Sequence, residues 1–176
     1  MWKESLHGID LTSLLESDKG NPKLPRHFKP SLKDDEFETP EQLFLDLCKK
    51  YQVNHQLDVA ATEKNKKCDN YFTFMDNALE KDWVISGDHL VDIWCNHPHT
   101  LHEQFVVKAH QQWKKHNITI MMIIPANCCR TNYWHKYIED QAEYHAIKGS
   151  IRFLQNGRPT KDTSRNAYMV VIWKKK

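Results

Sequence analysis

Apolar residues occur along this chain in two patterns, short continuous runs and faces with helical spacing. Residues 118–124 form the strongest run, Ile-Thr-Ile-Met-Met-Ile-Ile, and a run that is apolar on both faces predicts a central strand. Weaker runs predict strands at residues 55–61, 90–94, 151–154 and 167–173. Three helical faces predict helices that pack on the sheet. Their residues are Leu43, Phe44, Leu47 and Tyr51; Leu101, Phe105, Ala109 and Trp113; and Tyr133, Trp134, Tyr137 and Ile138.

Strand and helix signals alternate along the chain, which predicts a three-layer α/β domain with a mostly parallel sheet. An antiparallel pair at the carboxyl terminus is compatible with this pattern. Residues 71–74 are apolar enough for either a strand or a docked loop, and Gly-Arg-Pro at residues 157–159 predicts a turn.

Capping signals locate the starts of two helices. Thr39 and Pro40, with Gln42 completing a capping box, predict the start of the first helix. Thr100, with Glu103 three positions later, predicts the start of the second.

Length and composition predict one folded domain with an appended arm. A chain of 176 residues can bury one core of ordinary size. Residues 1–36 contain Pro22, Pro25 and Pro30 among scattered charges, which predicts an extended amino-terminal arm. We therefore expect the folded domain to occupy residues 37–176.

Hydropathy, cysteine content and charge narrow the class of protein. Apolar runs fall well short of the roughly 20 residues of a membrane span, so we expect a soluble intracellular protein with no membrane partner. The five cysteines include no Cys-x-x-Cys pair, which favours reduced thiols. The net charge is only +2, and small basic clusters fit either phosphate contact or a solvated surface. These clusters are Lys64, Lys66 and Lys67; Lys114 and Lys115; and Lys174, Lys175 and Lys176.

The most distinctive stretch is residues 93–100, Ile-Trp-Cys-Asn-His-Pro-His-Thr, where an apolar strand runs into a polar turn ahead of a helix. Such turns sit at the carboxyl end of α/β sheets, where ligands bind. Asp58 stands at a second strand end, and the small residues after it would let a ligand approach the backbone. On the residues alone, structural interpretations stay open: Asp58 as a helix cap, Asn96 as a turn former and Asp76 as a cap of the turn at residues 78–79.

Taken together, these stretches resemble the phage-type DNA adenine methyltransferase (Dam) family, from about Phe37 to Trp173. The resemblance rests on the order and spacing of several short motifs. They are Thr39-Pro40, residues 57–61, Asn65, residues 76–79, Trp83, residues 96–99, residues 105–109, residues 124–126 and residues 151–153. It implies a Rossmann-like fold of the S-adenosylmethionine-dependent methyltransferases. The implied activity is methyl transfer to the exocyclic amino group of adenine in DNA.

The resemblance also assigns site residues. In the family, an Asn-Pro-Pro-Tyr turn accepts the hydrogens of the adenine amino group and stacks its aromatic ring on the extruded base. The matching residues here are Asn96, His97, Pro98 and His99, so histidine replaces the first proline and the tyrosine. The implied cofactor is S-adenosylmethionine. The residues implied to hold it are Thr39, Pro40, Asp58, Ala60, Asn65 and Asp76.

Two other functions remain open from the sequence. A methyltransferase-like subunit could bind nucleic acid or a partner protein without catalysis, which the altered turn favours. A zinc site could use Cys95, His97, His99 and His102, although two of these histidines flank a proline, which argues against one site. Because the chain has little room for a separate target-recognition domain, sequence preference would come from loops, the arm or a homo- or hetero-oligomeric partner.

Overall fold

The computed structural model describes residues 37–84, 92–161, 163–164 and 166–176. The arm predicted for residues 1–36, and the predicted beginning of a strand at Leu90 and Val91, lie outside the described residues. The arm therefore stays a prediction.

A six-stranded mixed sheet forms the centre of the fold, and a separate two-stranded hairpin accompanies it. The strands are β1 (His55–Asp58), β2 (Asn70–Tyr71), β3 (Asp92–Cys95), β4 (Ile120–Pro125), β5 (Glu143–Ala146), β6 (Leu154–Gln155), β7 (Arg158–Pro159) and β8 (Tyr168–Trp173). The order across the sheet is β2–β1–β3–β4–β8–β5, and β6 pairs with β7 in the hairpin. The first four strands of this order run parallel, and β8 is antiparallel to both of its neighbours. The predicted mostly parallel sheet with an antiparallel carboxyl-terminal strand is confirmed.

Helices cover both faces of the sheet. They are α1 (Glu41–Tyr51), α2 (His102–His116) and α3 (Asn132–Tyr137). Along β4, Ile120, Met122 and Ile124 pack into the core shared with α2 and α3, whereas Met121 and Ile123 pack into the core shared with α1. All six residues of β4 are buried. This alternation confirms that β4 is central and that the domain has three layers.

Both predicted capping boxes are wrong. Helix α1 begins at Glu41 with Pro40 at its N-cap and no side-chain cap, while the Gln42 amide donates instead to Asp46. Helix α2 begins only at His102, because a 3₁₀ turn (His99–Leu101) comes first. In that turn the Leu101 amide donates to the Pro98 carbonyl at 3.0 Å. Thr100 therefore lies inside the 3₁₀ turn and is not the residue that precedes α2.

The region before β8 also differs from the prediction. The strand expected at residues 151–154 is limited to β6, although Ile151 and Phe153 are buried. The turn expected at residues 157–159 lies at Asn156 and Gly157, which both have positive φ, 52° and 72°. Strand β5 was not predicted, because all four of its residues are exposed and carry no apolar alternation.

The topology brings several chain segments to one edge of the sheet. Strands β1, β3 and β4 are parallel and end at this edge, which we call the carboxyl edge. Strand β5 also ends there and β8 begins there, because both β4 and β5 are antiparallel to β8. From β1 the chain continues to β2 on one side, while β3 lies on the other side. Such a switch of direction opens a crevice at the carboxyl ends of two neighbouring strands.

No helix in the described part of the chain is long and apolar enough to cross a membrane.

Candidate functional site

Asn96 follows β3 directly and has a fixed side-chain orientation. Its Nδ2 donates a hydrogen bond of 2.7 Å to the backbone carbonyl of Phe37. Since a carbonyl can only accept, the nitrogen of the amide must face Phe37 and Oδ1 must face the other way. The side chain therefore presents a preset acceptor at the carboxyl edge.

His97 points into the protein and anchors the turn. Its ring is only 3% exposed, stacks on Phe105 with the centroids 5.2 Å apart, and contacts His102 through Nε2. Its Nδ1 lies 3.8 Å from the Sγ of Cys95. Burial, and then the neighbouring His102 and His99, hold the pKa of His97 well below its ordinary value. The ring is therefore neutral at physiological pH.

His99 lies in an aromatic cluster formed with Phe37, Phe153 and Tyr168. Its ring centroid is 5.2 Å from Phe37 and 5.9 Å from Tyr168, whose hydroxyl lies 3.3 Å from the His99 Nε2. The edge of Phe153 faces it at 6.2 Å. The sequence alone assigns none of these three partners to the site. Tyr168 could have been found, because the first residue of an antiparallel last strand must meet the carboxyl edge.

The histidines of the turn do not form a metal site. Within the described residues, no group of three or more His, Cys, Asp or Glu side chains is arranged to hold a metal ion. His97 and His102 instead face each other directly, nitrogen to nitrogen. The zinc hypothesis thus has no support in this geometry.

Asp58 organises the loop that follows β1. Its side chain is 2% exposed, and its two carboxylate oxygens accept from the backbone amides of Ala60 at 3.1 Å and Lys67 at 3.0 Å. Burial raises the pKa of Asp58 to about 6, although both amide hydrogen bonds act to lower it. The carboxylate therefore holds the amides of Ala60 and Lys67, near the two ends of the loop, at the carboxyl edge.

Thr39 and Pro40 lie at the amino end of α1, next to this loop. An ion pair of 2.7 Å between the Lys67 ammonium and the Glu41 carboxylate joins the loop to the first turn of the helix. Thr39 is 2% exposed, and its Oγ1 is buried with no hydrogen-bond partner among the described residues. A buried hydroxyl without a partner is costly, so this atom is a candidate ligand-binding group.

Asn65 and Asp76 are engaged in local turns. The Asn65 Oδ1 accepts from the Thr62 amide at 2.6 Å. Asp76 accepts from the amide and hydroxyl of Thr73, at 2.8 and 2.7 Å, and pairs with Lys81 at 2.7 Å. Lys81 and Thr73 together lower the pKa of Asp76 to about 2. Asp76 thus caps its own 3₁₀ helix (Phe74–Asp76), and not the turn at residues 78–79.

The structure brings the predicted residues to adjacent strands. Asp58 is the register partner of Trp94, so it lies two positions from the level of Asn96 on the neighbouring parallel strand. Ala60 and Asn65 belong to the loop that Asp58 holds, and Thr39 and Pro40 adjoin that loop. Asp76 follows β2, one strand further out.

Comparison with known proteins identifies the family of the chain. A family model described as "DNA N-6-adenine-methyltransferase (Dam)" matches residues 27–176. A DNA N-6-adenine-methyltransferase of Escherichia phage T1 is 33% identical over 98 residues, which are 56% of this chain and 39% of the phage protein. The match thus spans well under half of that relative. A DNA N-6-adenine-methyltransferase of Haemophilus phage HP1 (strain HP1c1) is 29% identical over 129 residues, 72% of this chain and 70% of the relative. The chain therefore belongs to the DNA N-6-adenine-methyltransferase (Dam) family.

Proposed function

We propose that this protein transfers a methyl group from S-adenosylmethionine to the exocyclic amino group of adenine in DNA. The observation that carries the proposal, beside family membership, is the orientation of Asn96. Its Oδ1 faces away from Phe37 as a preset acceptor at the end of β3. A preset acceptor stabilises charge that develops during reaction without the cost of reorganising the site.

The chemistry explains why acceptors are needed. The lone pair of an adenine amino group is delocalised into the ring, so the group is a poor nucleophile. The Asn96 Oδ1 and the backbone carbonyl of His97 would accept its two hydrogens and favour the pyramidal form. The amino nitrogen would take the methyl group that bound S-adenosylmethionine supplies, and the amino group would lose one proton to solvent. The cysteines have no role in this scheme.

His97 and His99 would take over parts of the family turn. A proline at the position of His97 would restrain the backbone through its ring. Here the buried ring of His97, held by Phe105 and His102, supplies the restraint by packing. We assign the aromatic cluster around His99 to the wall against which the extruded adenine stacks.

The residues at the ends of β1 and β2 fit a bound S-adenosylmethionine. We assign the domain to the Rossmann-like fold of the S-adenosylmethionine-dependent methyltransferases, which the switch point between β1 and β3 supports. The buried Oγ1 of Thr39 would gain a partner, and the loop held by Asp58 would offer backbone groups. When bound, the cofactor supplies an electrophilic methyl group. An oligomeric partner for target recognition remains a prediction.

The test is labelled methyl transfer to mixed-sequence DNA, together with calorimetric titration of S-adenosylmethionine. Asn96→Ala should lower the rate by about a hundredfold or more, the usual effect of removing one preset polar group. Asn54→Ala, an exposed asparagine before β1, is the matched control and should keep the parent rate. Asn96→Ala should leave the affinity for S-adenosylmethionine unchanged.

His99→Tyr tests the histidine in the aromatic position. A larger ring offers more stacking area, so the variant should methylate DNA at least as fast as the parent protein. Absence of transfer by both the parent protein and His99→Tyr, despite clear cofactor binding, would contradict the proposal. It would favour a non-catalytic subunit that binds nucleic acid or a partner protein.

A further inference from the structure

The connection between β5 and β8 has an unusual charge. Residues 147–167 contain five basic residues and one acid, whereas the whole chain carries a net charge of only +2. The remainder of the chain is therefore net acidic. The described basic residues of this connection are all exposed. They are Lys148, Arg152, Arg158 and Lys161.

These four side chains differ from most of the other described lysines and arginines, since ten of those fourteen form an ion pair or lie over an aromatic ring. Within the described residues, none of the four forms an ion pair. The three lysine clusters, for which the sequence left phosphate contact and a solvated surface open, are mostly engaged within the protein, because all but Lys64 contact an acid or an aromatic ring. The ion pairs are Lys66–Glu63, Lys67–Glu41, Lys115–Asp82, Lys174–Glu143 and Lys175–Asp92. Lys114 and Lys176 lie over the ring of Trp113.

The connection also lies beside the candidate site. It leaves β5 and enters β8 at the carboxyl edge, the edge that carries Asp58 and Asn96. Phe153, within it, belongs to the aromatic cluster around His99. The backbone groups of Glu38 and Leu154 exchange two hydrogen bonds of 2.9 Å, one residue from the Phe37 carbonyl that orients Asn96.

Two features fix the conformation of the hairpin formed by β6 and β7 in this connection. Its two-residue turn places Asn156 and Gly157 at positive φ, as expected for a tight hairpin. The Gly157 amide donates to the Glu38 carboxylate at 3.3 Å, which fixes the tip to the segment before α1. A two-stranded ribbon has the dimensions that the major groove of DNA admits. Arg158 is carried on its second strand, directly after the turn.

We propose that the connection between β5 and β8 forms a DNA-binding arm, distinct from the predicted amino-terminal arm. Its described cations, Lys148, Arg152, Arg158 and Lys161, contact the phosphates of the duplex on either side of the target adenine. The inference rests on the proposed function, since it requires that DNA be the substrate. It adds the surface by which the domain would hold the duplex. Arginine and lysine contacts to phosphate position the protein without reading sequence.

The test is the salt dependence of binding to a short fluorescein-labelled duplex, followed by anisotropy. An arm variant combines Arg152→Gln, Arg158→Gln and Lys161→Gln. Each lost phosphate contact lowers the slope of log K against log salt by about 0.9, so the variant should lower it by about 2.7. Its affinity for S-adenosylmethionine and its thermal unfolding should equal those of the parent protein, because the three side chains are exposed.

A control variant removes three exposed lysines at the opposite edge of the sheet, in the last turns of α1 and α2 and after β8. It combines Lys49→Gln, Lys114→Gln and Lys176→Gln. The two variants have the same net charge, so a general effect of charge would change both slopes equally. An unchanged slope in the arm variant, or equal changes in both, would overturn the proposal.

The same proteins keep this outcome separate from that of the proposed function. Methyl transfer by the parent protein together with an unchanged slope in the arm variant refutes the arm alone. A reduced slope in the arm variant, together with no methyl transfer by any protein, refutes the catalytic proposal and keeps the arm.

Discussion

His55, the first residue of β1, is a partly buried histidine whose titration should contribute to the pH dependence of stability. Its ring packs between Phe44 and Trp94, with both centroid distances 5.7 Å. Both ring nitrogens are buried and have no hydrogen-bond partner among the described residues. Burial lowers the pKa of His55 from 6.5 to about 4, while the backbone of Ile93 acts weakly in the opposite direction. Folding therefore favours the neutral ring.

The sign and size of the effect follow from this shift. At a pH above 6.5 the ring is neutral in both states, and its contribution to stability is complete. As the pH falls, the unfolded chain binds a proton that the native protein accepts only near pH 4, so stability is lost across this window. One pKa unit corresponds to about 1.4 kcal/mol. Between pH 8 and pH 5 the loss from His55 should be about 2 kcal/mol.

Asp58 opposes this loss and the buried His97 adds to it, so the parent protein alone would not isolate the contribution of His55. Burial raises the pKa of Asp58 from 3.8 to about 6, so the native protein binds a proton before the unfolded chain does as the pH falls. Stability from Asp58 is complete below pH 3.8 and is lost as the pH rises through about 6. Between pH 8 and pH 5 it should gain about 1.4 kcal/mol, which offsets most of the effect of His55.

The informative measurement is the difference between the parent protein and His55→Phe. We expect the free energy of unfolding in urea, measured at pH 8 and pH 5, to favour the variant by about 2 kcal/mol more at pH 5. The contribution of Asp58 cancels in this difference, because it is the same in both proteins. His135→Gln, an exposed histidine on α3, is the control and should show a much smaller change. A difference that does not vary with pH would refute the buried, partnerless state of His55.

Three further outcomes are expected. Asp58→Asn should enlarge the loss of unfolding free energy between pH 8 and pH 5 by about 1.4 kcal/mol, and it should speed hydrogen exchange of the Ala60 and Lys67 amides, which the carboxylate accepts from. Unchanged exchange at these two amides would contradict this role. Thr39→Val should stabilise the protein by about 1 kcal/mol in urea unfolding, because it removes a buried hydroxyl without a partner. The same variant should weaken S-adenosylmethionine binding in calorimetry, and an unchanged affinity would place Thr39 outside the cofactor site. His97→Ala should cost about 2–4 kcal/mol of unfolding free energy, since it leaves a cavity against Phe105; a loss below about 1 kcal/mol would show that the ring does not anchor the turn.

The elements that could be predicted are those whose signal lies within one segment. The uninterrupted apolar run of β4 identified the central strand, because burial on both faces leaves no polar position. The end of β1 at Asp58 was marked by the change from apolar to small residues. Strand β5 was missed because an exposed edge strand needs no apolar side chain, and only its pairing with β8 defines it.

Features that depend on contacts between distant segments could not be predicted. Asn96 takes its orientation from the backbone carbonyl of Phe37, 59 positions earlier in the chain, and no local sequence pattern predicts that contact. For the lysine clusters, the sequence could not decide between phosphate contact and a solvated surface, because most of their acidic partners lie far away in sequence. Lys115, for example, pairs with Asp82, 33 positions before it. In the connection between β5 and β8, the sequence pattern conceals a basic surface, because its cations are spread over 21 residues and form no local cluster.

The altered turn shows why a missing motif residue does not by itself predict a lost function. The sequence shows His97 where the family has proline, and the local consequence is a backbone with more freedom. The structure adds what the sequence could not, a ring 3% exposed, stacked on Phe105 and held against His102. This restraint comes from packing, so it depends on the neutral state of the ring. Because burial keeps the pKa of His97 well below its ordinary value, the restraint persists at physiological pH.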